Sequence, residues 1–195
     1  MIELILELPV EGHVLILGAI ITGIIHVMRT SKKERSINPF EQTTQLTDKQ
    51  IKGGIVFYGK GNCISCHNGA HFTDQKFHTV PFPQLGFGKN GFGIDYGRYN
   101  ATFNPNDLYK FRTTPLYNNG KTAPYGHSGS APNLTTAIKA HFDPFSIVEL
   151  EQYTSLQRHQ YYKYLANSDV ANKVNYLTDD EVSLIVEFLG TMNFD

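Results

Sequence analysis

The sequence predicts an all-α protein, in which a helical domain with long irregular loops follows an N-terminal apolar helix. Two capping boxes support this prediction, because a Thr followed three residues later by Gln or Glu is typical of a helix N-terminus. One begins at Thr47 and the other at Thr178. The third observation is the apolar run at residues 14–25. A polar linker before Thr47 divides the chain into an N-terminal segment (1–45) and a main domain (46–195).

The charge balance excludes some classes of partner. The formal net charge of the 195 residues is −1, and charged residues make up 18% of the chain. A protein that binds nucleic acid, or that is tethered to a membrane by a basic cluster, carries a clear positive excess. We therefore expect no nucleic-acid partner.

The N-terminal apolar run is short for a membrane span. Residues 14–25 are uninterrupted, whereas a spanning helix needs roughly 17–25 apolar residues. Glu3 and Glu7 precede the run and basic residues follow it, the reverse of a signal peptide. These features favour a buried core helix over a membrane anchor through residues 8–28. In that case the chain lacks an export signal of its own and represents a fragment, or one half, of a larger protein.

Two amphipathic helices are predicted to flank the centre of the main domain. The first begins at Thr47, and its apolar positions recur at helical spacing at Ile51, Ile55 and Tyr58. The second begins at Thr178 and carries an apolar stripe at Val182, Ile185, Phe188 and Leu189. Residues 72–109 between them are rich in Gly, Pro, Asn and aromatic residues, and their length favours a functional loop or one covered by a partner.

The stretch Cys63-Ile64-Ser65-Cys66-His67 carries the chemistry. Two cysteines spaced C-x-x-C and followed by histidine are the attachment signature of a c-type haem. Each thiol forms a thioether to one haem vinyl group, and His67 offers a nitrogen to the iron. The sequence has no third cysteine for a zinc site and no βαβ context for a thioredoxin-like motif; a chance occurrence in a structural turn is the alternative. The fold prediction thus becomes a cytochrome c-like haem domain. Because haem is attached outside the cytoplasm, we expect a periplasmic or otherwise exported protein.

The second axial ligand decides between electron transfer and reaction with peroxide, because an iron with two strong ligands is closed to substrate. The candidates are His71, His78, His127, His141, His159, Met28 and Met192. His141 ends a predicted short helix that begins after the N-cap Asn133, and it shares the apolar face of that helix. A histidine on an apolar face is also typical of an ordinary core residue. His127 lies in a loop, and its position is equally compatible with binding the iron and with contacting one of the iron's ligands.

Several further motifs accompany the haem signature. They are FYGKGNCISCHNG (57–69), PQLGFGKNGFGIDYG (83–97), YKFRTTP (109–115), TAPYGHSG (122–129), LTTAIKAHFDP (134–144) and the closing helix LTDDEVSLIVEFL (177–189). Together they resemble the C-terminal haem domain of bacterial di-haem cytochrome c peroxidases, including the MauG-type enzymes of methylamine utilisation. The resemblance covers roughly residues 47–190.

The resemblance implies that this domain holds an electron-transfer haem, while a preceding N-terminal domain holds the haem that reacts with peroxide. The family's sixth iron ligand lies fourteen positions beyond the histidine of the TAPYxHxG loop, here His127. It is methionine in the peroxidases and tyrosine in the methylamine enzyme. This position is His141, so the resemblance implies an iron bound by His67 and His141, with a lower potential than a His/Met iron.

The resemblance also implies a calcium ion in some relatives, held partly by backbone carbonyls at the positions of Thr122 and Pro124. Two departures stand out. The chain has a single C-x-x-C-H, and Tyr117 replaces an arginine that the family has near its haem. Arg112 is a candidate to pair with a haem propionate instead, with a surface arginine as the alternative.

We therefore expect a mono-haem electron-transfer protein that passes electrons to a second redox centre, in a partner protein or a second haem domain. A rival interpretation is a mono-haem peroxidase with an open distal site, where His127 or His78 acts as the acid–base group. A third is the haem subunit of a membrane respiratory complex, anchored through residues 8–28.

Overall fold

The computed structural model of the protein describes residues 46–84, 94–170 and 173–193. The predicted N-terminal apolar helix and the proposed anchor at residues 8–28 lie outside the described residues. The boundary between residues 45 and 46 therefore stays a prediction. Within the described ranges, none of the helices has the length and apolar character needed to cross a bilayer.

The described chain is dominated by helices, which confirms the all-α prediction. The α-helices are α1 (Asp48–Tyr58), α2 (Tyr99–Thr102), α3 (Leu134–Lys139), α4 (Ser155–Ala166) and α5 (Asp179–Gly190). Short 3₁₀ turns lie at Cys63–Ser65, Pro105–Asp107, Asn119–Lys121, Pro144–Ile147 and Leu150–Gln152. Two short strands, β1 (Phe77–His78) and β2 (Phe111–Arg112), pair antiparallel, with Phe77 opposite Arg112 and His78 opposite Phe111.

Both predicted capping boxes are present. The Thr47 hydroxyl accepts a hydrogen bond from the Gln50 backbone N–H at 3.3 Å, and the Gln50 side chain accepts one from the Thr47 N–H at 2.9 Å. Thr178 and Glu181 repeat the arrangement at the start of α5. These bonds satisfy backbone donors that lack partners within the helix, and they fix where α1 and α5 begin.

Helices α1 and α5 pack against each other and form the base of the domain. The stripe predicted for α5 is buried as expected: Val182, Ile185, Phe188 and Leu189 are each at most 4% exposed. The stripe predicted for α1 is wrong, since Ile51 and Ile55 are each 45% exposed. The buried face of α1 carries Gly53, Gly54 and Phe57 instead.

Glycine explains why α1 turns this face towards α5. A Cβ atom built on Gly53 would lie 1.9 Å from the carbonyl oxygen of Leu184, so only glycine permits this approach of the two backbones. Close backbone approach replaces a stripe of large side chains at this crossing. A search for apolar periodicity does not detect a contact face made of glycines.

The remaining helices position the cavity described below. Helix α3 begins after Asn133, whose side chain accepts a hydrogen bond from the Thr136 N–H at 2.9 Å, as predicted. Helix α4 was not predicted, although its N-terminus carries a third capping box, formed by Thr154 and Gln157. Between these elements the chain is largely irregular, in agreement with the predicted loop at 72–109, of which residues 85–93 lie outside the description.

Candidate functional site

A cavity of about 660 Å³ lies above α5, between the C-x-x-C-H turn and α3. This volume falls within the range of pockets that hold a cofactor. Apolar side chains from several elements form its walls, among them Phe57, Val80, Phe82, Leu134, Ala137, Ile138, Val174, Leu177, Ile185 and Leu189. Every site residue predicted from the sequence lines this cavity: Cys63, Cys66, His67, Arg112, Thr122, Pro124 and His141.

The 3₁₀ turn Cys63–Ser65 presents the two thiols and His67 to the same cavity. Asn62 enters the turn with a left-handed backbone (φ 48°), and the His67 N–H donates to the Cys63 carbonyl at 2.9 Å. Both cysteines are free thiols. Burial raises the pKa of Cys63 to about 12 and also raises that of Cys66, so both stay protonated at neutral pH. The raised pKa values disfavour the thiolates that a cysteine-ligated metal centre requires.

The tautomer of His67 follows from its hydrogen bond. Its Nδ1 lies 3.0 Å from the Phe72 carbonyl oxygen. A carbonyl only accepts, so Nδ1 carries the proton and the Nε2 lone pair is available to a metal. Burial, reinforced by the nearby His141, lowers the pKa of His67 to about 4. The ring is therefore neutral at physiological pH, as a ligand must be.

His141 is held in the same way at the end of α3. Its Nδ1 lies 2.9 Å from the Ala137 carbonyl oxygen, so Nε2 is again unprotonated. Burial lowers the pKa of His141. The ring meets the edge of Phe82 in a T-shaped contact with centroids 6.1 Å apart. The side chain is thus fixed in position and neutral.

The two imidazoles are spaced to hold one metal ion between them. The ring centroids of His67 and His141 are 6.4 Å apart, with an interplanar angle of 60°. Histidine binds first-row metals at about 2.0 Å, so two rings on opposite sides of one ion have centroids roughly 6 Å apart. The residues present therefore fit a haem iron, with two thiols to tether the ring and apolar walls to enclose it.

The other predicted axial candidates are less suited. His71 and His159 are exposed, and neither lines the cavity; Met192 is buried outside its lining. Met28 lies outside the described residues. His78 and His127 do line the cavity, and each has a distinct environment.

His78 is clamped between two carboxylates, a feature that the sequence did not reveal. Its Nε2 lies 2.8 Å from an Asp74 oxygen and its Nδ1 lies 2.9 Å from an Asp169 oxygen, with Lys173 Nζ 3.2 Å from Nδ1. Burial alone would raise the pKa of Asp74 and Asp169, but hydrogen bonds from His78 and from the Lys76 and Thr79 backbone N–H groups together outweigh it, and both pKa values are lowered. Because both ring nitrogens form hydrogen bonds, His78 has a structural role. It links Asp74, in the loop after the C-x-x-C-H motif, to Asp169 after α4.

Cys66 lies beside this clamp. Its sulfur and ligand atoms of Asp74 and His78 lie within 4.8 Å of one another, a grouping of metal-binding residue types. The raised pKa of the Cys66 thiol disfavours the thiolate that a metal would require. We therefore assign the thiol to the same site as Cys63.

His127 stacks flat on Phe111, with centroids 3.8 Å apart and an interplanar angle of 11°. Its Nε2 is buried and has no hydrogen-bond partner among the described residues. Burial lowers the pKa of His127 to about 4, against a weaker opposing effect of Asp95. The ring is therefore neutral, and it forms part of the cavity wall.

Arg112 and the predicted calcium residues lie at the exposed part of the cavity wall. Arg112 Nη1 donates to the Gln75 side chain at 2.7 Å, and the residue is exposed. Thr122 and Pro124 are also exposed, and the Thr122 hydroxyl donates to the Asn119 carbonyl at 3.1 Å. Pairing of Arg112 with a propionate and binding of calcium both stay predictions.

Comparisons with known proteins bear on the family resemblance drawn from the motifs. No protein-family model matches the chain. The cytochrome-c peroxidase IdrP1 of Pseudomonas sp. (strain SCT) is 30% identical over 60% of this chain and 38% of that protein. The methylamine utilization protein MauG of Methylophilus methylotrophus is 29% identical over 53% of this chain and 31% of that protein. The crystal structure of the diheme peroxidase BthA from Burkholderia thailandensis matches with a TM-score of 0.60 and 22% identity, over 77% of this chain and 43% of that one.

These matches confirm the resemblance drawn from the motifs. The chain is a relative of the bacterial cytochrome-c peroxidases and MauG, and it shares the helical fold of a diheme peroxidase. It spans less than two fifths of the length of these curated relatives, 38% and 31%.

Proposed function

We propose that this chain is a c-type haem electron-transfer protein of the di-haem cytochrome c peroxidase superfamily, which relays electrons through a bis-histidine haem to a second redox centre. The observation that carries the proposal is the pair His67 and His141, neutral, with ring centroids 6.4 Å apart in a cavity lined by both thiols. The sequence relatives support the superfamily, since they include cytochrome-c peroxidases and MauG.

Each residue has a defined part. Cys63 and Cys66 tether the cofactor through thioethers, and His67 and His141 occupy both axial positions. When bound, the haem supplies reversible one-electron chemistry. The Phe72 and Ala137 carbonyls orient the two imidazoles through their Nδ1 protons. Two imidazole ligands set a lower potential than a histidine–methionine pair would.

The proposal also includes the residues around the haem site, the location of the protein and its redox partner. Arg112 at the cavity wall pairs with a propionate, and the carbonyls of Thr122 and Pro124 contribute to a calcium site completed by other residues. Haem attachment places the protein in the periplasm or another exported location. The second redox centre lies in a partner protein or in a further haem domain.

A haem count and a resting spectrum test the proposal. A pyridine haemochrome assay should find one thioether-bound haem per chain. The ferric protein should show a six-coordinate, low-spin spectrum without the weak far-red band of a methionine–iron bond. Adding hydrogen peroxide should leave this spectrum nearly unchanged. Absence of thioether-bound haem, or a high-spin resting spectrum, would overturn the proposal.

The mono-haem peroxidase is the second candidate, and the observation that favours it is that His127 and His78 both line the cavity. A peroxidase needs an open axial position and a nearby acid–base group. Rapid change of the ferric spectrum on adding peroxide, abolished in a His127→Gln variant, would favour this candidate. The respiratory-subunit alternative requires an anchor at residues 8–28, and solubility of the intact chain without detergent would count against it.

A further inference from the structure

Tyr117 contacts three consecutive residues in the loop that follows the C-x-x-C-H motif. Its hydroxyl donates a hydrogen bond to the Ala70 carbonyl. Its ring forms T-shaped contacts with His71 and Phe72, at centroid distances of 6.1 Å and 6.0 Å. The side chain is half-buried and lines the cavity. These contacts attach the loop to a residue that lies 47 positions beyond Ala70 in the chain.

Phe72 connects this loop to the axial ligand. Its carbonyl oxygen accepts the hydrogen bond from His67 Nδ1 at 3.0 Å. The N–H of the same peptide unit belongs to Thr73, and it donates to the Asn68 carbonyl at 2.8 Å. Phe72 itself has a left-handed backbone (φ 52°), which a bulky residue adopts only where surrounding contacts hold it. The position of the His67 partner therefore depends on what holds Phe72.

Two aromatic rings contact the Phe72 side chain, which is 3% exposed. Phe57 on α1 lies at a centroid distance of 6.2 Å with an interplanar angle of 71°, and Tyr117 lies at 6.0 Å with an angle of 84°. Phenylalanine has no hydrogen-bonding group in its side chain. Of the two, Tyr117 thus holds the backbone of the loop as well as the Phe72 ring.

We propose that Tyr117 is a positioning residue for the axial ligand His67; this inference rests on the proposed function. Tyr117 holds the loop so that the Phe72 carbonyl stays in line with the Nδ1 proton of His67. A hydrogen bond at Nδ1 makes the imidazole a stronger donor to the iron, and stronger donation stabilises the ferric state. Tyr117 therefore lowers the reduction potential of the haem, and its effect passes through Phe72.

Two substitutions of Tyr117 separate its hydroxyl from its ring. Tyr117→Phe removes the hydrogen bond to the loop, and Tyr117→Leu removes the ring contacts as well. Tyr161→Phe is the matched control, because the buried Tyr161 also donates to a backbone carbonyl, that of Pro144 at 2.8 Å, but does not line the cavity.

The two readouts are taken on the haem-loaded, full-length chain. One is the reduction potential. The other is the rate at which the Nδ1 proton of each axial histidine exchanges with D₂O, followed by NMR of the diamagnetic ferrous protein. His141 serves as an internal reference, because its Nδ1 proton is held by the Ala137 carbonyl at the end of α3 and not by the loop.

We expect the His67 proton to exchange roughly fivefold faster in Tyr117→Phe, the factor that corresponds to a hydrogen bond of about 1 kcal/mol, and faster still in Tyr117→Leu. The His141 proton should keep its wild-type rate. The reduction potential should rise from the wild type to Tyr117→Phe and again to Tyr117→Leu. Tyr161→Phe should lower the stability to urea but leave both exchange rates and the potential at their wild-type values.

An unchanged His67 exchange rate, or an unchanged potential, in both Tyr117 variants would overturn this inference alone. Equal acceleration at His67 and His141 would also overturn it, since it would indicate a general loosening of the domain. Absence of thioether-bound haem from the wild type, detected first by the haemochrome assay, would overturn the proposed function together with it. If Tyr117→Leu does not fold, Tyr117→Phe decides by the same readouts.

Discussion

Two backbone carbonyls determine the chemistry of the histidine pair. Phe72 and Ala137 each accept a hydrogen bond from an Nδ1 proton, and each leaves an Nε2 lone pair available. The hydrogen bond at Nδ1 makes a histidine on an apolar face a candidate metal ligand, because it leaves Nε2 unprotonated. For His141 the sequence supplied the face through its helical spacing, while only the structure shows the carbonyl that fixes the tautomer. The resemblance to the peroxidase family supplied the position, through its fourteen-residue offset from His127.

His127 gives a pH-dependent contribution to stability. Burial lowers its pKa to about 4 in the folded protein, from about 6.5 in an unfolded chain. Between these values the unfolded chain binds more protons, so stability is full above pH 6.5 and is lost as the pH falls towards 4. We expect His127→Gln to reduce this loss by of order 1 kcal/mol per pH unit, measured by urea unfolding of the haem-loaded protein.

His159→Gln is the matched control, because His159 is exposed on α4. Its slope of stability against pH should equal that of the wild type. The account of His127 fails if His127→Gln keeps the wild-type slope, since a ring protonated in the folded state would not generate one. Asp95 is the charged group that opposes the burial of His127, and it is unchanged in both variants.

Among the helices, the crossing of α1 and α5 fixes the base on which the cavity stands. The crossing depends on Gly53 and Gly54 facing Leu184 and Phe188, with Phe57 at its end. Phe57, Ile185 and Leu189 from these helices also line the cavity. Close packing of the two backbones therefore determines where the cavity wall lies.

A single methyl group at Gly53 tests this crossing. The added Cβ of Gly53→Ala would lie 1.9 Å from the Leu184 carbonyl oxygen, so α1 and α5 must separate. We expect a loss of stability of at least about 1–3 kcal/mol, typical of overpacking, measured by chemical unfolding. Gly190→Ala at the end of α5 is the control, because a Cβ there would contact none of the described residues beyond its own turn of helix. Alanine in a helix should leave stability unchanged or raise it by up to about 1 kcal/mol. Equal stability of the two variants would contradict the described crossing.

The sequence predicted the elements whose signals are local. Capping boxes located the starts of α1 and α5, and the apolar stripe of α5 matched its buried face. The same rule failed for α1, because Ile51 and Ile55 point outward while glycines make the contact. Helix α4 was missed although Thr154 and Gln157 form a capping box, since its buried side chains form no apolar stripe.

Residues distant in the chain could not be predicted to meet. The clamp joins His78 to Asp74 and to Asp169, which lies 91 positions beyond His78, and no spacing rule connects them. The sequence did indicate that Cys63, Cys66 and His67 line one cavity, because a C-x-x-C-H motif holds all three within five consecutive residues.

At the scale of the whole molecule, the proposed function rests on the single C-x-x-C-H motif of residues 1–195 and predicts one redox centre. A redox titration of the protein should therefore show uptake of one electron per chain. The reduced protein should bind carbon monoxide slowly or not at all, because imidazoles fill both axial positions. Uptake of two electrons, or fast and tight binding of carbon monoxide, would contradict a closed mono-haem relay.

Opening the axial position at His141 is the most direct test of the histidine pair. In His141→Gly the haem should remain attached through Cys63 and Cys66, and the ferric spectrum should change from low-spin to high-spin. Added imidazole should restore the low-spin spectrum by replacing the missing ring, while His159→Gly should behave like the wild type. A His141→Gly protein that stays low-spin without imidazole would show that another group binds the iron opposite His67.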